Sequence, residues 1–207
     1  MMRKSARFFT VLFNVIFSFV LFFFVLNAVL FGLCFPAGTM LPLPEYQIVG
    51  VNVLSRVQSC SGSSVSARIA ILDMQGNDCA VIERSWNGDY LYVTFRTAEF
   101  NGKTFFFPEK IYGSESAVLK KSFGSHKRGT NLLSYYLENN QCFLTGTRSS
   151  YLHRKNMFIL ARFAFSPMAA VASGFSSRYT VNLSECEPGK DYGVFTGSED
   201  GLVLRLQ

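Results

Sequence analysis

The chain has 207 residues, 49% of them hydrophobic, and a formal charge of +6. Arg3, Lys4 and Arg7 precede a long uncharged stretch, so the rest of the chain carries 17 basic (20 less those three) against 14 acidic side chains, a net of +3. Interspersed charge of that size forms no basic stripe, and no nucleic-acid partner is expected.

Residues 1–7 read as a cytoplasmic basic leader. Phe8 to Phe35 is an uncharged apolar run in which only Thr10, Asn14, Ser18 and Asn27 add polarity. At about 1.5 Å per helical residue it could extend roughly 42 Å, more than the ~30 Å hydrocarbon core of a bilayer. It is expected to be a transmembrane signal-anchor helix. A cleaved signal peptide has an apolar region of about 7–15 residues and a small-x-small exit, and this run is longer and lacks that exit. A lipid-modified Cys34 wants a small residue before it, and Leu33 stands there. The other reading of Cys34 is a small buried hydrophobe. With three basic residues before the run and none in Pro36 to Ser55, the positive-inside bias puts the N-terminus in the cytoplasm and the C-terminal domain outside it, in the periplasm, lumen or extracellular space.

Residues 36–45 hold three prolines and read as an extended stalk. From residue 46 to 207 the period changes to two, predicting a mainly β domain: an antiparallel meander in a sandwich or partly open barrel. Gln47 to Leu54 is rich in β-branched residues and reads as a strand. Ser59 to Ser64 reads as a loop. Strands follow over Val65 to Leu72, Cys79 to Ser85 and Tyr90 to Ala98, then Thr104 to Phe107 up to Pro108. They are separated by Gln75-Gly76-Asn77-Asp78, Asn87-Gly88 and Asn101-Gly102. Asn-Gly pairs between alternating segments are hairpin signals because both residues tolerate positive φ. Ser114 to Phe123 suits a short helix or an edge strand, and Thr130 to Glu138 a two-turn helix capped by Thr130. Met157 to Phe165 reads as a buried strand broken at Ser166-Pro167, since Arg162 and Pro167 argue against a second membrane span. Arg178 to Ser184, Tyr192 to Thr196 and Leu202 to Leu206 complete the β pattern, with Leu202, Leu204 and Leu206 toward the core.

Chemistry is sparse. Cys60, Cys79, Cys142 and Cys186 are an even set that an oxidising compartment could join as two disulfides; the alternative is four free, mostly buried thiols. No Cys-x-x-Cys, no nucleophile elbow and no P-loop occurs, and no cofactor is expected. His126 and His153 sit among cations with no carboxylate near in sequence to orient them, and no His pair or His–Glu pair at metal-ligand spacing exists. Asp73, Asp78 and the Glu199-Asp200 pair stand in turns, where Asp serves its own backbone. The concentrated charge lies in two basic segments: Lys120, Lys121, Lys127 and Arg128 in one, Arg154 and Lys155 in the other. They suit an anionic surface such as lipid headgroups, or a solvated loop.

The reading is a single-pass anchored β-domain that binds something or serves as a scaffold in the envelope, with an envelope protein as a candidate partner. It favours a non-enzyme. The rivals are an envelope hydrolase or transferase with a dispersed site, and an accessory subunit that packs through its helix.

Overall fold

The computed structural model describes residues 2–39, 45–60, 62–100, 103–118, 129–166, 176–197 and 201–207. The fold is mainly β, built from antiparallel sheets. Helix α1 (Met2–Thr39) takes in the apolar run and continues four residues into the expected stalk; residues 40–44 lie outside the described set. Among the described residues no helix is long and apolar enough to cross a membrane, the side chains of α1 being described without a break only over residues 10–26.

Strands β1 (Gln47–Ser59), β2 (Gly62–Leu72) and β3 (Asp78–Asn87) form a meander, so β structure runs through most of the loop expected at Ser59 to Ser64. The meander then divides. β4 (Leu91–Phe100) and β5 (Lys103–Gly113) pair with each other and not with β3. Asn87-Gly88 is therefore a corner between two sheets rather than a hairpin. Gly88 has φ +121°, and a Cβ there would meet the backbone nitrogen of Ser114 at 2.6 Å. The Asn101-Gly102 expectation falls outside the described residues, but Phe100 and Lys103, which flank it, are cross-strand partners. Pro108 does not end β5. It sits where the β4–β5 register shifts between Thr94 and Phe95, and a bulge can accommodate a residue with no N–H to give.

After a short helix α2 (Ser114–Val118) come three two-residue strands, β6 (Thr130–Asn131), β7 (Leu137–Glu138) and β8 (Gln141–Cys142). The helix expected over Thr130 to Glu138 is absent: only one 3-10 turn, Leu133–Tyr135, forms there. Asn139 and Asn140 take φ of 49° and 59°, the left-handed pair that closes a two-residue hairpin between β7 and β8. The strand expected at Met157 to Phe165 is instead helix α3 (Tyr151–Phe165), started by Ser150, whose hydroxyl accepts from the His153 amide. Met157, Leu160, Ala161 and Ala164 recur at helical spacing and are buried. Strands β9 (Arg178–Asn182), β10 (Asp191–Thr196) and β11 (Leu202–Leu206) follow as expected, except that Leu206 at the end of β11 is exposed.

Two open sheets result: β11-β10-β1-β2-β3 and β6-β5-β4-β9. One hydrophobic core joins them, including Val51 and Ile69 from the first, Phe95 and Ile111 from the second, and Leu160 from α3. Tyr136 is buried in that core, and its hydroxyl donates to the Pro108 carbonyl at 2.8 Å. On the second sheet Arg178 clamps Glu109 through two bonds of 2.9 and 2.8 Å, and Arg96 stands 3.6 Å from the same carboxylate.

Candidate binding face

Side-chain alternation decides what the five-stranded sheet shows to its surroundings. In β1, Val49, Val51 and Val53 are buried, so Gly50, Asn52 and Leu54 point the other way. In β10, Tyr192, Val194 and Thr196 are buried and Asp191, Gly193 and Phe195 lie opposite. Register then aligns the small residues: Gly50 faces Gly193 on one side and Ala70 on the other. Across three adjacent strands nothing larger than a methyl rises from this row. Two residues along, on the same face, Asn52 faces both Asp191 and Arg68, and Arg68 faces Glu83, giving a polar ridge across four strands.

Between ridge and sheet end lies a shallow groove of about 330 Å³, floored by Gly50 and Ala70 and lined toward the sheet end by Gln47, Leu72 and Asp78, with Gln207, whose amide donates to the Asp191 carbonyl at 2.9 Å, on the ridge side. Its side chains are held in place. Asn52 Nδ2 donates to Asp191 Oδ1 at 2.6 Å, and Gln207 Nε2 donates to Gln47 Oε1 at 2.5 Å. The Arg68–Glu83 pair is looser, at 3.8 Å. Gly193 is needed here: a Cβ would come within 2.5 Å of the Phe195 ring and 2.9 Å of Gln47 Nε2. Phe195 in turn carries the Arg205 guanidinium 5.6 Å above its ring.

The groove holds one cation, Arg68, against Asp78, Glu83 and Asp191. Amides and carboxylates of this kind offer hydrogen bonds to neutral or cationic polar groups and repel polyanions. The groove was not legible in the sequence, because its ridge joins Asn52 of β1 to Asp191 of β10, 139 residues apart and brought together by register.

The four cysteines expected as bridge partners are all free thiols. Cys60 is exposed at the β1–β2 turn, while Cys142 and Cys186 are buried. Half-buried Cys79 donates to the Phe143 carbonyl at 3.4 Å. Burial, then the neighbouring charges of Asp73 and Asp78, push its pKa up to about 12. Burial raises Cys142 as well, and brings Cys186 to about 11 against the opposing pull of Arg56. None of the three is poised as a nucleophile.

Of the basic residues expected to meet an anionic surface, Lys120, Lys121, Lys127 and Arg128 lie outside the described residues. Arg154 is turned inward. Its Nε donates to Gln141 Oε1 at 2.7 Å, its NH1 to the carbonyls of Thr147 and Ser149, and its guanidinium lies 5.9 Å over the Phe143 ring. That side chain braces the loop before α3 and is spent within the domain. Lys155 is exposed on α3. His126 is outside the described residues. Asp73 is buried and accepts from the Gln75 and Asn77 amides at 2.9 and 2.8 Å, the turn role expected of it. Among the described residues no group of three His, Cys, Asp or Glu could hold a metal ion.

Comparison with protein families, curated proteins and solved structures finds no match.

Proposed function

We propose that the chain is a membrane-anchored binding module without catalytic activity. In this reading α1 lies in the bilayer, its basic start is cytoplasmic, and the β-domain outside offers the groove on its five-stranded sheet to a neutral or cationic polar partner of the envelope. The observation that carries it is the state of α1. From Thr10 to Phe22 every side chain is exposed, whichever way it points, and Phe24 reaches 74%. A helix apolar around its whole circumference belongs in lipid or in a core, and the domain's own core does not enclose this one. Among its described side chains, aromatic rings pair along the helix, Phe13 with Phe17 and Phe19 with Phe23, both at 6.2 Å. The apolar sequence from Phe8 to Phe35 exceeds the length a bilayer asks for.

Cys60 supplies a built-in topology probe, exposed at the β1–β2 turn. Intact cells are treated with a membrane-impermeant maleimide after mild reduction, alongside a Cys60→Ser control. Labelling before lysis, on a protein that stays in the pellet through alkaline carbonate, supports the reading. Labelling only after lysis reverses the topology, and release by carbonate removes the anchor.

A further inference from the structure

We propose that α3 is a membrane-contacting element, lying on the outer leaflet beside the point where α1 emerges and holding anionic phospholipid headgroups through Arg148, Lys155 and Arg162. The inference rests on the reading of α1 as the anchor.

Position comes first. α1 packs against α3 and also reaches β4. The β2–β3 turn is tied to the segment leading into α3, since the Met74 amide donates to the Leu144 carbonyl at 2.9 Å. Leu72, at that end of β2, is on the same margin of the sheet as Val49, near the start of β1, because Val49 faces Ile71. Hence the segment leading into α3 and the start of β1 share one end of the domain. The β1–β2 turn with Cys60 is at the other end, the length of β1 away: 13 residues, or about 40 Å at 3.3 Å per residue.

The chemistry of the exposed stripe matches a bilayer surface. Tyr151 is 56% and Leu152 54% exposed, large apolar bodies left more than half open. Lys155 and Arg162 are exposed four and eleven residues beyond Tyr151, which puts all three on one side of the helix. Arg148 is exposed just ahead of it. No Asp or Glu occurs anywhere from Asn139 to Ser184, so no nearby carboxylate in sequence neutralises these cations. Tyrosine favours the interface between headgroups and chains, a leucine beside it enters the chain boundary, and flanking cations meet lipid phosphates. Each cation near an anionic leaflet strengthens adsorption roughly fivefold.

The test uses the full chain in nanodiscs of phosphatidylcholine alone or mixed with phosphatidylglycerol. An environment-sensitive thiol dye is placed at Leu152→Cys in a Cys34→Ala, Cys60→Ser background, and on native Cys60 in a Cys34→Ala chain. The bilayer carries nitroxide lipids labelled close to the headgroup. Quenching at 152 and none at Cys60 is expected in anionic discs. It should weaken severalfold in the neutral discs and in the Arg148→Gln, Lys155→Gln, Arg162→Gln variant. If the 152 dye is quenched no more than the Cys60 dye, α3 does not touch the bilayer and the proposal falls. Strong quenching that ignores both lipid charge and the three substitutions overturns the headgroup assignment. A chain that does not enter discs at all refutes the anchor reading first, and that outcome is scored separately by co-elution with lipid.

Discussion

Arginine in the middle of α1 gives a graded test of the anchor. Within residues 12–30 the sequence supplies four Leu, six Phe, four Val and Ile16. At about −0.3 to −0.6 kcal/mol each on insertion scales, they favour the bilayer by roughly 5–9 kcal/mol before Asn14, Ser18 and Asn27 take their share. One central Arg costs about 2.5–3.5 kcal/mol. Val20→Arg alone should therefore leave the chain in the membrane. Adding Phe24→Arg doubles the penalty and removes a second favourable residue, bringing the balance close to zero. The membrane fraction of the double variant should then drop to about half or below, since a few tenths of a kcal/mol either way shifts such a balance visibly. Carbonate-resistant pelleting of the full chain, quantified by immunoblot, reads this directly. Complete release by Val20→Arg alone would mean that the native helix holds the bilayer by a far smaller margin than its composition implies. Full retention of the double variant would mean that something other than α1 does the anchoring.

Leu160→Ala, at a fully buried position of α3, should cost about 2–5 kcal/mol through lost burial and a residual cavity, measured by urea unfolding in detergent. Tyr136→Phe should cost about 1–3 kcal/mol, because the buried Pro108 carbonyl loses its donor; an unchanged midpoint would show that water replaces the hydroxyl. Gly113→Ala should be more severe than either, since its Cβ would collide with the Asn87 carbonyl, a backbone atom of the sheet corner that has nowhere to go; soluble yield and melting temperature report it. Stability should also fall on the alkaline side. Burial raises the folded pKa of Cys79 to about 12 and of Cys186 to about 11, so the folded chain keeps protons that the unfolded chain loses from about pH 8.5. The contribution is intact below that pH and drains away as pH climbs through the folded values. Denaturation midpoints between pH 7 and 10.5 test the direction, and Cys79→Ala should flatten the slope.

Most strands were legible in the sequence because alternation and turn chemistry are local. β2, β3, β10 and β11 lie where β-branched runs and glycine-bearing turns put them. Failures came where local signals competed. Residues 157–165 hold three Phe and Ile159, which favours a strand on propensity, yet the Ser150 cap and the buried positions 157, 160, 161 and 164 keep helical time. Asn139-Asn140 resembles a helix end and is a hairpin turn, because two consecutive asparagines can both take positive φ. Asn87-Gly88 bends the chain as that pair usually does, but which sheet the next strand joins is a tertiary matter. The groove could not be foreseen at all: opposing Gly50 with Gly193 requires knowing that the first strand of the domain pairs with its tenth.

That same pairing governs how the domain is made. A nascent chain that has emerged only as far as β9 holds β1 with one side of its backbone unsatisfied, waiting for Asp191–Thr196. Such a free margin invites pairing with a neighbouring copy. Because α1 would keep sibling chains in one plane, a chain that stops short of Asp191–Thr196 leaves that margin of β1 open to pairing with a neighbouring copy.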